Sequence, residues 1–346
     1  MRAAILVEPR KIEFRDIEEP GVAADQVLIQ PMLVGICGSD VSFYLGHRVA
    51  KYPWLLGHET VGRVLAVGDN VTRFSVGQRV IVEPNYPCGQ CSFCRSGRGA
   101  ICPNKVSLGV SVPGCFADLF VAPAEFVWPI PDEISDEDAV VIEPLTVSLH
   151  ALLLSKARLG DTVAVLGCGT VGLLLVQLAI AQGVRVLAHS RSAHKLELAC
   201  NFGAVVPRPP RGGTEYQPPR GGTEYLADTA QVWRENNVTT VFETGGTTAT
   251  VELALSAAPR GSEVVLLGLS NEPASFVPLN LVRQGINVIG SIIYDHPADF
   301  SRAIALVQHG TVHPSQIITD TMTFGAMDRA LEVASAGPAI KMVVDM

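Results

Sequence analysis

Residues 163–173 read VAVLGCGTVGL. The apolar run Val163–Leu166 has the length and composition of a buried strand, and Val171–Ala181 those of an apolar helix. Between them Gly167, Gly169 and Gly172 form G-x-G-x-x-G. In a strand–turn–helix context each glycine has its own use. The first permits the tight turn, the second removes a Cβ that would obstruct a pyrophosphate, and the third lets helix meet strand. The unpaired N–H groups at the helix start, at Thr170 and Val171, would face the phosphates. A lone motif of this kind is weak, and glycines that serve packing alone fit it too. The flanking sequence strengthens it. Arg185–Ala188, Val241–Glu243 and Glu263–Leu267 read as strands, and His194–Phe202 and Thr248–Ala257 as helices. This alternation predicts a doubly wound parallel sheet covered on both faces.

The end of the second strand bears on which dinucleotide is bound. Such sites place an acid there to accept hydrogen bonds from ribose hydroxyls. Residues 187–194 read LAHSRSAH, without an acid. Ser190 stands about where the acid belongs, and Arg191 follows. A 2′-phosphate is repelled by a carboxylate and attracted by a guanidinium. Ser190 and Ser192 can donate hydrogen bonds, and Lys195 adds charge one helical turn beyond Arg191. The pattern points to NADP(H), with NAD(H) as the alternative. A plain exposed basic helix start also fits.

Outside this α/β stretch the chain changes character. Ala3–Val7, Val27–Val34, Gly57–Val67, Gln78–Val82, Cys115–Val121 and Phe126–Pro129 read as strands. Asp132–Glu143 begins a helical stretch, which Leu145–Lys156 continues beyond Pro144. After Gly290, Ala298–Gln308 and Phe324–Ser335 read as helices and Ile340–Val344 as a closing strand. The expectation is a β-rich domain made of residues 1–150 and 290–346, with a dinucleotide-binding domain of residues 151–289 inserted into it.

Composition narrows the function. The 346 residues are 48% hydrophobic, enough to fill two cores. A net charge of −8 and an aromatic content of 6% argue against an extended nucleic-acid surface. The opening MRAAILVEPRKIEFRD has too short an apolar run for a signal peptide. Residues 162–184 carry no formal charge and are long enough to span a bilayer. Their order of strand, glycine turn and helix predicts a buried α/β unit instead, with no membrane partner. The octapeptide PPRGGTEY occurs twice, at 209–216 and 218–225. It reads as a duplicated surface loop, or as a lid touching ligand.

Two constellations suggest metals. Cys88, Cys91, Cys94 and Cys102 lie in the loop 83–103, spaced C-x2-C-x2-C-x7-C. Four thiolates in one short loop suit a closed, structural zinc site in a reducing cytoplasm. An iron–sulfur cluster is the competitor, but its usual run places the fourth cysteine after three residues. The second group is dispersed over GICGSD at 35–40, GHE at 57–59 and VIEPL at 141–145. Cys37, His58, Glu59 and Glu143 offer a thiolate, an imidazole and two carboxylates. Each also has a plain reading: a small buried thiol, a core histidine, a surface acid and a helix cap.

Taken together, these motifs resemble the zinc-dependent medium-chain dehydrogenase/reductase family, in its polyol, threonine and butanediol dehydrogenase branches. The resemblance rests on GICGSD, GHE, the four-cysteine loop, EPL at 143–145 and GCGTVG at 167–172, and covers nearly the whole chain. Residues 290–300, GSIIYDHPADF, look like the butanediol-dehydrogenase-like members. The resemblance implies a GroES-like catalytic domain with an inserted Rossmann domain. It implies one catalytic zinc, held by Cys37, His58 and Glu59, and one structural zinc per subunit. Glu143 would bind the catalytic zinc directly or through water. Ser39 would stand beside the reacting oxygen, and Asp40 would support the ligands from behind. Leu267 and Ser291 join the glycine turn as expected coenzyme contacts.

Two departures matter. Ser42 stands where the polyol enzymes carry a histidine, which puts a histidine-mediated proton route in doubt. Ile293 stands where sorbitol dehydrogenases carry an arginine, which weakens recognition of a long polyhydroxyl chain. The expected reaction is hydride transfer between NADP(H) and a small secondary alcohol, diol or polyol and its ketone. Phe43, Tyr44 and Phe116 would wall the substrate site or belong to the core. Alternatives are an NAD-dependent sorbitol- or threonine-type dehydrogenase, a non-catalytic nicotinamide-binding protein, and a zinc-ribbon nucleic-acid binder. By resemblance alone the assembly is a homotetramer, with a homodimer as the alternative.

Overall fold

The computed structural model describes residues 1–48, 51–207 and 223–346. The chain divides into two compact units, Met1–Glu143 with Asp295–Met346, and Pro144–Tyr294. The sequence places the limits at 150/151 and 289/290. The first crossing falls inside a continuous helix, Ile142–Leu154, so no linker marks it. Pro144 sits in the first turn of that helix, where its missing N–H breaks no intrahelical bond.

The first unit is built on a seven-stranded sheet. Its order is Val127–Pro129, Arg79–Val82, Glu59–Val67, Gln26–Ile36, Lys341–Asp345 and Ile318–Thr323, with Phe120–Pro123 also paired to Gln26–Ile36. Val27, Ile29, Val34 and Ile36 are buried and pack with Leu6, Val64, Phe116 and Met327. Phe43, Tyr44 and Phe116 all belong to this core. The closing strand pairs Met342 with Ile36 and Val343 with Gly35, which brings the C-terminal segment beside the GICGSD stretch. The strand expected at 115–121 begins only at Phe120. Cys115 and Phe116 instead donate backbone bonds to Gly57 and Leu56, and Ala117 makes an isolated bridge with Ala3.

The second unit is a parallel five-stranded sheet in the order Arg185–His189, Thr162–Leu166, Val238–Glu243, Glu263–Leu266, Asn287–Gly290. All four pairings are parallel. Such strands are buried on both faces, and Val163–Leu166 is buried throughout. The helix Thr170–Ala181 is buried over most of its circumference, which accounts for its lack of a polar face. The charge-free run 162–184 is thus a strand and a 12-residue helix. No described helix is long and apolar enough to cross a membrane. The duplicated PPRGGTEY segment lies outside the described residues up to position 222, and the helix Thr223–Glu235 begins within its second copy.

Candidate metal and coenzyme sites

Cys37 directly follows the strand Gln26–Ile36 and caps the short helix Gly38–Tyr44. His58 immediately precedes the neighbouring strand Glu59–Val67, whose Glu59 lies opposite Gly35. Sheet register therefore brings two distant sequence stretches to one point. Cys37, His58 and Glu59 each present a ligand atom, and the three lie within 4.8 Å of one another. Glu143, in the first turn of its helix, stands outside that set. Asp40 is buried and holds the frame. Its Oδ2 accepts the N–H of Cys37 at 3.0 Å, and its Oδ1 accepts that of Gly57 at 3.3 Å. His58 Nδ1 lies 3.5 Å from Asp40 Oδ1 without hydrogen-bond geometry. Ser39 Oγ lies 3.4 Å from His58 Nε2, which puts its hydroxyl beside the cluster.

The electrostatics favour a cation. Burial opposes ionisation of Cys37, but His58 and Lys341 outweigh it and bring the thiol down to about 7. Burial likewise opposes a charged His58, and Asp40 with Cys37 holds that imidazole well above its usual range. The negative field that draws a proton onto His58 also draws a metal ion. A thiolate, an imidazole and a carboxylate are the donor types zinc takes, so the residues fit it.

Lys341 escaped the sequence reading. It is buried at the start of the closing strand, where its ammonium pairs with Glu59 Oε2 and donates to the carbonyl of Ile36 at 3.2 Å. Burial pulls it down to about 8. A Cβ on Gly35 would collide with the Glu59 carboxylate and stand 2.9 Å from Lys341 Cε, so the glycine makes room for this pair. The one available signal was a lysine inside the apolar strand IKMVV. Lys341→Met leaves Glu59 buried without its countercharge. It should destabilise the metal-free protein by about 3–5 kcal/mol. Added zinc should recover part of that loss, which melting curves with and without the metal would check.

The four loop cysteines converge. Cys91 caps the short helix Ser92–Arg95, and Cys102 follows the turn Gly99–Ile101. The Cys91–Cys94, Cys91–Cys102 and Cys88–Cys94 sulfur separations are 3.4, 3.9 and 4.0 Å. Tetrahedral zinc with bonds near 2.3 Å would set its sulfurs about 3.8 Å apart. The N–H groups of Gln90 and Cys91 lower Cys88 to about 6, while burial and its neighbouring thiols raise Cys94 to about 12. Four crowded thiols cannot all ionise without a cation, so this set also fits zinc. The loop is tied to the C-terminal segment by Ala100 N–H, which donates to Asp295 Oδ1 at 3.2 Å.

In the second unit the three glycines divide their work. Gly167 has φ of 103°, a conformation that side chains disfavour. A Cβ on Gly172 would collide with the Gly167 carbonyl, whereas one on Gly169 meets nothing within 4 Å. That open side lies at the N-terminus of the helix starting at Thr170, and helix N-termini suit phosphate oxygens. Ser190, Arg191 and Ser192 follow the strand Arg185–His189, with Arg191 exposed and Ser192 capping the next helix. Burial lowers the Lys195 ammonium. Leu267 donates its N–H to the carbonyl of Glu243, and Ser291 Oγ is buried with no hydrogen-bond partner. An orphaned buried hydroxyl and an open phosphate turn both fit a bound dinucleotide.

Residues 23–132 match the family model for the alcohol dehydrogenase GroES-like domain, and residues 170–309 that for zinc-binding dehydrogenase. Over 345 residues the chain is 33% identical to the sorbitol dehydrogenase of Bacillus subtilis strain 168, covering 96% of this chain and 94% of that one. A candidate zinc-binding dehydrogenase from Sinorhizobium meliloti 1021, solved bound to NADP, superposes with a TM-score of 0.89 at 30% identity, over 100% of this chain and 99% of the other. The short chain alcohol dehydrogenase of Escherichia coli CFT073, solved with NADH, gives 0.88 at 28% identity, over 100% and 99%. A GroES-like β domain with a Rossmann-type zinc-binding dehydrogenase unit defines an oxidoreductase of the alcohol and polyol type. The chain belongs to the zinc-dependent medium-chain dehydrogenase/reductase family, in its polyol-dehydrogenase-like branch.

Proposed function

We propose that the protein moves hydride between NADP(H) and a small secondary alcohol, diol or short polyol and its ketone. The observation that carries this reading is the convergence of Cys37, His58 and Glu59 from two separate stretches of sequence, with Ser39 beside them. Those three residues would hold the catalytic zinc. Glu143, which is buried, would join them or act through water. Cys88, Cys91, Cys94 and Cys102 would hold the structural zinc, and we favour a cytoplasmic location, whose reducing conditions keep such thiols available for metal.

Bound at these sites, zinc supplies a Lewis acid for the substrate oxygen and the nicotinamide supplies the hydride carrier. The chain's own residues do the rest. Ser39 Oγ takes the hydroxyl proton during oxidation and returns it during reduction. Asp40 fixes the Cys37 and Gly57 backbone, so the donors keep their spacing without rearrangement. Gly169, Thr170 and Val171 receive the pyrophosphate, and Ser190, Arg191, Ser192 and Lys195 the phosphorylated ribose. Leu267 and Ser291 orient the remaining half. Ile293, in place of an arginine, favours smaller, less polar substrates than sorbitol.

Arg191 should carry much of the coenzyme preference. A charge-assisted hydrogen bond contributes about 1.5–3 kcal/mol. Arg191→Ala should therefore lower kcat/KM for NADP(H) by roughly 10- to 100-fold and leave that for NAD(H) nearly unchanged. Steady-state rates with both coenzymes, over a panel of diols, polyols and ketones, test the preference and the substrate class together. A higher kcat/KM with NAD(H) for the wild-type protein would support the sorbitol- or threonine-type alternative. Bound coenzyme without any turnover would support a non-catalytic binding protein. For assembly we favour a homotetramer over a homodimer. The exposed Leu279 and Val282 on the helix Pro278–Gln284, beside the edge strand Asn287–Gly290, agree with self-association.

A further inference from the structure

Glu243 ends the middle strand of the parallel sheet and is completely buried. Its Oε1 accepts the N–H groups of Gly245 and Gly246, both at 2.8 Å. Its Oε2 is buried with no hydrogen-bond partner, and among the described residues no cation pairs with it. A buried carboxylate with one bare oxygen is unfavourable unless something else offsets it. The fold nonetheless makes space for it. A Cβ on Gly268 would stand 2.5 Å from Glu243 Oε2, and one on Gly245 would stand 3.2 Å from Oε1.

The surrounding backbone connects this residue to the coenzyme end of the sheet. The Glu243 carbonyl accepts the N–H of Leu267 at 2.9 Å and of Gly268 at 3.0 Å. Thr244 Oγ1 donates to the carbonyls of Gly167 at 2.6 Å and Leu166 at 3.0 Å. Residues 243 and 244 thus tie together the ends of three adjacent strands. Open α/β sheets take their ligands at this carboxyl edge. The ribose-reading segment Ser190–Ser192 follows the outermost strand on one side, and the phosphate turn follows its neighbour. The other half of a dinucleotide then falls on the side of residues 243–246 and 266–268.

We infer that Glu243 is a positioning residue for the nicotinamide half of the coenzyme, and that its unpaired carboxylate favours the oxidised, cationic ring over the reduced, neutral one. This rests on the nicotinamide reading above. Two glycines and two backbone N–H groups hold the charge in place, and the cationic ring supplies the missing countercharge.

Glu243→Gln keeps the size and one acceptor oxygen while removing the charge. Dissociation constants for NADP+ and NADPH, measured by fluorescence at fixed pH and salt, provide the test. Kd for the oxidised form should rise roughly three- to tenfold and that for the reduced form should change less than about twofold. Equal weakening of both forms, or no change in either, overturns the inference, because a purely structural role would not separate them. If Glu243→Gln does not fold, Glu243→Asp serves instead. It keeps the charge but draws it back along the side chain, so Kd for NADP+ should rise more than Kd for NADPH, and equal weakening of both, or no change in either, would overturn the inference. Failure of the wild-type protein to bind either form would overturn the coenzyme reading itself.

Discussion

Cys37→Ala should abolish turnover while leaving coenzyme affinity within about twofold of wild type. The reason is the division of labour between the two units. Cys37, His58 and Glu59 belong to the β-rich unit, whereas the glycine turn and residues 190–192, proposed to read the ribose, belong to the unit of the parallel sheet. Removing the thiolate takes away the softest of three donors and leaves a histidine and a carboxylate that Lys341 already engages. A Lewis acid contributes several kcal/mol of transition-state stabilisation. Its loss, at about 1.4 kcal/mol per tenfold, corresponds to a fall in kcat of roughly a thousandfold or more. The measurement is kcat beside coenzyme Kd on the same preparation. Full activity in the variant would show that this cluster is not the catalytic centre.

Cys94→Ser should act differently, by removing a metal that orders the loop 83–103. Among these residues only brief helical turns and the two-residue strand Asn85–Tyr86 are regular structure. Little apolar burial holds the segment, since Cys88, Cys91 and Cys94 are only half-buried. Metal binding to such a loop is folding free energy. Its loss should lower Tm by about 5–10 °C, which corresponds to a few kcal/mol in a unit of this size. Zinc content should fall while the Cys37 cluster keeps its ion. The loop's bond from Ala100 to Asp295 should loosen with it, so proteolysis within 83–103 should accelerate. An unchanged Tm with a full complement of zinc would show that the four thiols do not hold a metal together.

Much of this was legible because the chemistry is written in local patterns. The glycine turn, the four-cysteine spacing and the apolar helix Thr170–Ala181 are set by neighbouring residues, and the structure has them where the pattern places them. Cys37, His58 and Glu59 could be matched to a family motif, but only sheet register makes them meet. Lys341 could not be found this way, because its partner is nearly three hundred residues away and nothing local to it signals a carboxylate. In the sequence Glu243 is no more than the end of a strand; its two N–H donors come from the glycines that follow it. The helix Pro278–Gln284 has no buried residue and the strand Asn287–Gly290 is largely exposed, so neither carries the hydrophobic period that reveals an element. The strand expected at 115–121 was misplaced for the converse reason. Cys115, Phe116 and Ala117 are fully buried but are held largely by loop contacts to Leu56, Gly57 and Ala3.

The central claim is that one metal ion sits with Cys37, His58 and Glu59 and a different one with the four loop cysteines. Zinc analysis joined to X-ray absorption at the zinc edge, on the wild-type protein and on Cys37→Ala, tests it most directly. The wild-type chain should hold two zinc ions in a mixed sulfur and nitrogen/oxygen environment, and the variant one zinc ion with sulfur neighbours alone. A variant that kept both ions, or a single remaining ion bound mainly through nitrogen and oxygen, would contradict it.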